Sequence, residues 1–419
     1  MLGCVANQYS AFESTGVAVM SVKVIHHNGL SFQPDEIIEI RITNEIDPLS
    51  VSLVESVADV TLKLPEEKAV FSKSSPFNIV EEIGQKNRFW SGIITSMDRQ
   101  GKDKWKISLV DVVGYLEKFE FMGDVYNEKN VLDLVSEICN KAGITASVYS
   151  SGMDADTISG WIPYTNCREA LSQVLFAAGW YMRTKSLSDI QFARIETRTP
   201  VQIPQNRTLS GTITKEDEET TGVEVLVHDF SEDESPKTII WRSAIRGEAF
   251  NVMVEHETPV LNYSYHPPNK KSTYEVLVEN ANFLELNFSC FSIEENAPIK
   301  MRVDWEEYVH TTNLIGKYVD DAIFQKIYAI ENKTMVTGEN SQSVLDRCFE
   351  YYTNNAQATA KVVIGKHVDE DGTVTYDEDV KCGDIVTIPT DYLGEYTGRI
   401  IKEQYNLNGN IIIKEITVK

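Results

Sequence analysis

Histidines are the first residues to examine for metal or acid–base chemistry, because imidazole titrates near neutral pH and binds transition metals. The seven histidines are scattered along the chain, and only His26 and His27 are adjacent. Adjacent residues of a strand point to opposite faces, so this pair is a poor bidentate site. The sequence contains no HExxH, GxSxG, Walker A or dinucleotide GxGxxG pattern. We therefore predict no catalytic residue and no metal-binding residue.

Carboxylates could bind a cation or hydrolyse a glycoside. The segment DEDGTVTYDED around Gly372 has some character of a calcium loop. It lacks the full DxDxDG spacing with a glutamate at the twelfth position. A glycosidase can carry its two carboxylates without any local motif, so the sequence leaves that reaction open without supporting it. We expect a protein without a cofactor that is not an enzyme.

The six cysteines form no CxxC pair, and no histidine lies at zinc-ligand spacing from any of them. Cys139, Cys167 and Cys348 fall on the apolar faces of predicted helices, where a thiol acts as a small hydrophobe. The pattern favours reduced cysteines in the protein core. The start MLGCVANQYS lacks the basic n-region and apolar h-region of a secretory signal, so we expect a protein that stays in the cytoplasm until it is assembled.

The charge is strongly acidic, with 63 Asp and Glu against 39 Lys and Arg and a net charge of −24. Such a surface repels phosphate backbones and offers no counterion release, so we expect no direct nucleic-acid binding. It would suit the wall of a channel through which DNA slides, and it would equally suit plain solubility. No apolar run approaches the roughly 18 residues that a membrane-spanning helix needs, so we expect no membrane insertion.

The elements that must position any site fall into five segments. Period-two alternation such as IIEIRITNEID predicts a first β-barrel over residues 35–121, preceded by an N-terminal arm over 1–34. Two amphipathic helices, within NEKNVLDLVSEICNKAG and TNCREALSQVLFAAG, and a following hairpin predict an α+β insert over 122–198. Their predicted caps are Asn130 and either Thr165 or Asn166, and their predicted stops are Gly143 and Gly179.

The second half of the chain returns to strand patterns. Residues 199–338 are predicted to be β-rich, with no clear assignment in the middle. Residues 339–419 are predicted to form a helix, SVLDRCFEYYTNNA, followed by the strands of a second β-barrel. The fold class is therefore α+β and mainly β, with two small β-barrel domains separated by an α+β insert.

The last β-segment repeats the pattern of the first. Trp90-Ser91-Gly92-Ile93-Ile94 corresponds to Tyr396-Thr397-Gly398-Arg399-Ile400-Ile401, and each hairpin has a second glycine at its turn. Any two hairpins of a β-rich sequence can be aligned in this way, so chance is the alternative to duplication. Two similar modules in a trimer would give six positions around one axis. The candidate assembly-interface residues are Trp90, Gly92, Gly101, Tyr396, Gly398 and Gly409.

Four blocks of sequence in this order and spacing resemble the baseplate hub proteins of contractile phages. The same resemblance extends to related prophage tail proteins and bacteriocins and to the hub region of type VI secretion spikes. The blocks are FWSGIITSMDRQGKDKWKISLVDVVGYLE, VLDLVSEICNKAGI, YTNCREALSQVLFAAGWYMRTKSLSDIQFARI and KCGDIVTIPTDYLGEYTGRIIKEQYNLNGNIIIKEITV. The first 30 or so residues do not match the start of a hub.

The resemblance implies a structural protein that forms a homotrimeric ring and joins a sixfold tail tube to the central spike or tip. Its partners would be the tail tube protein, the spike or tip protein, other baseplate proteins and a tape-measure protein in the lumen. Combined with the net charge, it leads us to expect an acidic lumen. The final location would be a phage tail or an extracellular contractile particle. The alternatives are a tail-tip receptor-binding protein and a wall-degrading enzyme.

Overall fold

The structure is a computed structural model of the 419-residue chain. It describes residues 22–65, 71–73, 75–83, 86–148, 151–187, 189–195, 199–205, 208–215, 219–243, 249–289, 299–320, 322, 326–355, 358–364, 367–368, 374–375, 380–390, 394–408 and 411–419. Strands dominate and helices are few, which confirms the prediction of a mainly β chain. Within these residues no closed barrel is found, so the description of two barrels stays a prediction.

The N-terminal part is an antiparallel sheet with one apolar face. In its third strand Ile40 and Ile42 are buried while Arg41 between them is exposed, as the alternation predicts. The elements are β1 (Val22–His27), β2 (Leu30–Phe32), a 3₁₀ turn (Pro34–Glu36), β3 (Ile37–Glu45), β4 (Val57–Lys63), β5 (Phe77–Ile83), β6 (Lys86–Arg99), β7 (Lys104–Val110) and α1 (Val112–Leu116).

The predicted N-terminal arm over 1–34 differs from what the structure shows. β1 pairs with both β2 and β5, so residues 22–32 belong to the sheet. The polar stretch at Asn28-Gly29, which interrupts the strand pattern, is the turn between β1 and β2, with both residues at positive φ. Residues 1–21 lie outside the described residues.

The insert contains both predicted helices, each capped as the sequence indicates. The Asn130 side chain accepts a hydrogen bond from the backbone N–H of Asp133, and Asn166 accepts one from Glu169. Gly179 ends the second helix in the left-handed conformation, with φ of 78°. The elements are β8 (Glu120–Phe121), β9 (Asp124–Asn130), α2 (Val131–Lys141), β10 (Ser147–Val148), β11 (Thr157–Ile162), β12 (Thr165–Asn166), α3 (Cys167–Ala178), β13 (Trp180–Ser186) and β14 (Asp189–Arg194).

The middle of the chain, left unassigned by the sequence, forms a small β-sandwich on a long two-stranded ladder. The elements are β15 (Val201–Gln202), β16 (Thr208–Lys215), β17 (Gly222–Ser243), β18 (Ala249–Glu255), β19 (Val260–His266), β20 (Thr273–Glu279), β21 (Phe283–Ser289), β22 (Ile299–Tyr318) and β23 (Ile327–Ile330). β17 and β22 pair along nearly their whole lengths. Leu286 and Phe288 of one sheet pack against Met301 and Val303 of the other. We call the described residues between 237 and 305 the sandwich module.

The C-terminal part contributes the last helix and the strands of the second β-module. The elements are α4 (Ser341–Glu350), a π turn (Tyr351–Asn355), β24 (Ala358–Ile364), β25 (His367–Val368), β26 (Val374–Thr375), β27 (Ile385–Thr390), β28 (Gly394–Asn408) and β29 (Ile411–Val418). The sequence grouped α4 with these strands. Its buried residues Val344, Leu345 and Cys348 instead share one core with α2 and α3.

One 13-stranded sheet runs through both β-modules, in the order β16-β24-β29-β28-β3-β4-β7-β6-β5-β1-β2, with β15 and β27 attached at the side. The joint between the modules is the antiparallel pair β28–β3, in which Lys402 lies opposite Glu45 and Asn408 opposite Glu39. The two segments that the sequence predicts as separate barrels are therefore continuous through backbone hydrogen bonds.

Candidate assembly interface

Two four-strand units in the large sheet have the same topology. The first unit is β3-β4-β7-β6 and the second is β16-β24-β29-β28, and every neighbouring pair is antiparallel. A further strand precedes the last hairpin of each unit and pairs with its first half: β5 with β6, and β27 with β28. This arrangement supports duplication over a chance alignment of two hairpins.

The two units also share the positions of their β-bulges. The pairing of β6 with β7 shifts between Ile94 and Ser96, and the pairing of β28 with β29 shifts at the equivalent place, between Ile400 and Lys402. A second matched pair of shifts lies in the first strands, at Ile38 in β3 and position 209 in β16. A bulge changes strand twist and side-chain direction locally, so two coincident bulges are a demanding match.

Gly92 and Gly398 lie where a strand passes from one partner to the next. β6 pairs with β5 up to Gly92 and with β7 from Ile93 onward. β28 pairs with β27 up to Arg399 and with β29 from Ile400. A Cβ added at Gly92 would come within 2.4 Å of the Val110 carbonyl oxygen, and one at Gly398 within 2.7 Å of the Lys419 oxygen. Close approach of a second backbone explains both glycines.

The other predicted interface residues have different surroundings. Trp90 is 6% exposed and packs in the core of the first unit, so its side chain is not on the surface. Tyr396 is partly buried and donates its hydroxyl to the carbonyl oxygen of Ala358 at 2.9 Å, and burial raises its pKa. Gly101 lies in the exposed β6–β7 turn, away from Gly92, where β6 passes from β5 to β7. Gly409 lies outside the described residues.

Side chains as well as backbone join the two units at β28–β3. Tyr405 of β28 is 6% exposed and belongs to the core of the first unit. Its hydroxyl donates to Glu403, whose carboxylate also binds the Lys414 ammonium at 2.9 Å. Burial alone would raise the pKa of Glu403, but the Lys414 charge and the hydrogen bonds from Lys414, Tyr405 and the Cys382 backbone together hold that pKa below its usual value. The second unit therefore completes the core of the first.

A second buried ion pair ties the insert to the first unit. The Lys185 ammonium of β13 lies 3.5 Å from the Asp111 carboxylate and donates to the carbonyl oxygens of Glu45 and Val54. Asp111 also accepts from the backbone N–H groups of Ser56 and Val113. Its complete burial raises its pKa, against the opposing effect of Lys185. These contacts fix the insert rigidly beside the sheet.

Two strand edges of the four-strand units have no partner among the described residues. From Thr95 to Asp98, β6 pairs only with β7, and β16 pairs only with β24. The edge residues are polar and exposed, among them Ser96, Asp98, Thr212 and Thr214. These edges are not predictable from the sequence, because strand pairing is a tertiary property. The only local signal was the Thr- and Ser-rich composition of β16, which lacks a fully apolar face.

Among the described residues, no His, Cys, Asp and Glu side chains form a group of three or more that could hold a metal ion. The structure does bring together His228 and His310, with Nδ1 of the first 2.9 Å from Nε2 of the second. The two are far apart in sequence, so no motif could reveal the pair. No helix in the described ranges is long and apolar enough to cross a membrane.

Comparison with known proteins gives matches in structure only. No protein-family model matches the chain, and no curated protein sequence matches it. The tail protein from Neisseria meningitidis MC58 superposes with a TM-score of 0.56 at 10% identity, covering 96% of each chain. A 43 kDa tail protein of prophage MuSo2 from Shewanella oneidensis has a TM-score of 0.53 at 9% identity, covering 95% of this chain and 98% of the other. Over nearly its whole length, the chain has the fold of these two tail proteins.

Proposed function

We propose that the chain is a structural hub of a phage-type tail. Three copies of it would form a ring between a sixfold tail tube and the central spike or tip. The observation that carries this proposal is the head-to-tail joint between the two units. Within one chain, the last strand of the second unit (β28) pairs with the first strand of the first unit (β3). The equivalent strands, β6 and β16, are the two open edges of the four-strand units.

The same joint can therefore form between chains. β6 of one copy is the counterpart of β28, and β16 of the next copy is the counterpart of β3. Pairing them repeats the joint already present in each chain, and a head-to-tail contact of this kind closes into a ring when its rotation permits. Three copies then present six equivalent units around one axis, which matches the symmetry of a sixfold tube.

The register of the joint between chains follows from the register within the chain. Gln404 lies opposite Thr43 in the β28–β3 pair. The matched bulges make Asp98 the counterpart of Gln404 and Thr214 the counterpart of Thr43. Asp98 of one chain is thus expected to lie opposite Thr214 of the next.

The remaining parts of the proposal rest on the fold shared with two tail proteins and on the sequence resemblance to hubs. Each four-strand unit, with the strands that precede its last hairpin, is proposed to be a small barrel-like module. The tail tube protein, spike or tip protein, other baseplate proteins and tape-measure protein are the proposed partners. The protein is proposed to assemble in the bacterial cytoplasm, to end in a tail or extracellular contractile particle, and to have no enzymatic activity.

Mass photometry and electron-microscopy class averages of the purified protein test the proposal. We expect particles with three times the mass of the chain and ring-shaped averages with threefold symmetry. A strict monomer at micromolar concentration contradicts the hub. Saturable binding to host envelopes would favour a receptor-binding protein, and a clear band in peptidoglycan zymography would favour a wall-degrading enzyme.

A further inference from the structure

The solvent-facing side of the two four-strand units is one continuous surface. In β3 the buried side carries Ile40 and Ile42, so Glu39, Arg41 and Thr43 point the other way. Residues directly opposite in antiparallel strands share a face, and the β28–β3 joint places Gln404 beside Thr43. We call this side of strands β3, β4, β6, β7, β16, β24, β28 and β29 the polar face.

The polar face does not share the strong acidity of the chain. The strand registers place these basic residues on it: Arg41, Lys63, Lys104, Lys106, Lys361 and Lys402. The acidic residues on the same face are Glu39, Glu45, Asp59, Asp98 and Glu415. Most other positions are Thr, Ser, Asn and Gln. The net charge of −24 therefore comes from other parts of the chain.

Neighbouring charges on the polar face are joined in ion pairs. Arg41 Nε lies 2.8 Å from the Glu39 carboxylate. Lys106 Nζ lies 3.2 Å from Asp59 Oδ2, and Ser108 also donates to that carboxylate.

At the joint between the units, Lys402 Nζ lies 2.9 Å from the Glu45 carboxylate. Three of the six cations on the polar face are thus compensated by carboxylates of the same or an adjacent strand.

We propose that the polar face lines the lumen of the ring and lets duplex DNA pass without adhering, by compensation of charge rather than by repulsion. DNA binds proteins mainly because free cations displace condensed counterions from its phosphates, and paired cations provide little of this effect. A wall of net negative charge would instead prevent adhesion by repelling the duplex. Only the placement of the face in a lumen rests on the proposed function. This proposal differs from the acidic lumen that the total charge led us to expect.

A gel mobility-shift assay with a short duplex DNA at low salt tests this inference. It compares the wild-type protein with a variant that lacks the compensating carboxylates. The wild-type protein is expected to leave the DNA unshifted. The triple variant E39Q/E45Q/D59N frees three cations and is expected to retard the duplex, with an affinity that falls steeply as salt rises. Exposed ion pairs contribute little to stability, so this variant should fold, which a thermal melt checks.

Two controls separate local compensation from net charge. The variant E255Q/E257Q/E275Q loses the same number of charges at exposed positions of the sandwich module and is expected not to bind DNA. Adding R41Q/K106Q/K402Q to the first triple variant removes both partners of each pair and should abolish the retardation.

The inference is overturned if the first triple variant leaves the duplex unshifted, or if the sandwich-module variant retards it equally. Binding of DNA to the polar face of the first triple variant does not require a ring. Failure of this experiment therefore remains distinguishable from failure of the hub proposal, which the particle mass and symmetry decide.

Discussion

The Glu403–Lys414 pair is the residue-scale contact on which the joint between the units most depends. Both side chains are buried, at 3% and 7% exposure, and Lys414 also donates to the Val380 carbonyl oxygen. E403Q removes the counter-charge of a buried ammonium and is expected to cost about 3–5 kcal/mol in unfolding free energy. Urea denaturation measures this cost. The paired replacement E403L/K414M should cost less, and an unchanged midpoint for E403Q would show that Lys414 is not held as described.

The His228–His310 pair predicts a loss of stability on acidification. Burial, and for His228 also the charge of His310, lowers the pKa of both imidazoles, while Asp229 opposes this for His228. An unfolded histidine titrates at about 6.5. The unfolded chain therefore binds more protons below that pH, so the stabilisation is complete above it and is lost as the pH falls.

The pH effect can be assigned to the pair by comparing melting temperatures at neutral pH and near pH 5. His27 and His256 also have lowered pKa values and contribute to the drop in the wild type. In H310Q the drop should be smaller, because one titrating partner and the charge it would place beside His228 are gone. Equal drops in the two proteins would rule out a contribution from the pair.

At the scale of single elements, β6 passes from pairing with β5 to pairing with β7 at Gly92. Alanine is therefore expected to destabilise the protein much more at Gly92 than at Gly101 of the same hairpin. A Cβ at Gly92 would meet the Val110 carbonyl oxygen at 2.4 Å, whereas one at Gly101 meets nothing nearer than 3.8 Å. G92A is expected to lose about 1–3 kcal/mol in chemical denaturation, by forced backbone movement. G101A is its matched control and should unfold like the wild type. Similar values for the two variants would contradict the close approach.

The insert helices are predicted to be a major part of the central core. Leu134 of α2 and Leu175 of α3 are both 0% exposed in that core. Replacing either with Ala should cost about 2–5 kcal/mol, from lost burial and the cavity left behind. Leu277 of the sandwich module is 45% exposed and provides the control, for which L277A should change stability by less than about 0.5 kcal/mol. Thermal or urea melts that show no loss in L134A or L175A would break this assignment.

Structural features determined by residues close together in sequence were predictable, and features determined by the pairing of distant segments were not. The spacing of Leu134 and Ile138 and the Asn130 cap are local, and α2 begins where they indicate. The helix α4 was predicted from its local pattern, but its apolar face does not say which core it joins, so its packing against α2 and α3 was not predicted. The middle segment stayed unassigned because its long strands β17 and β22 are far apart in sequence and interrupted by a register shift after Asp233.

At the scale of the whole molecule, the candidate interface was predicted in part. The glycine repeat pointed to the correct hairpins, because a strand that bends against another backbone requires glycine at Gly92 and Gly398. The aromatic residues of the same motif face the cores of their own units, which the motif alone does not show. The open edges of β6 and β16 became visible only once the order of all strands was known.

The proposed ring depends on the pairing of β6 with β16 of the next chain, and a cysteine pair tests this pairing most directly. Residues directly opposite in antiparallel strands have Cα atoms about 4.5–5.5 Å apart, within the range that a disulfide spans. The described native cysteines Cys139, Cys167, Cys348 and Cys382 are buried and unpaired by disulfides. Oxidised D98C/T214C is expected to give a covalent trimer on a non-reducing gel, while D98C and T214C alone do not. A double variant that assembles normally yet shows no link between chains would contradict the account.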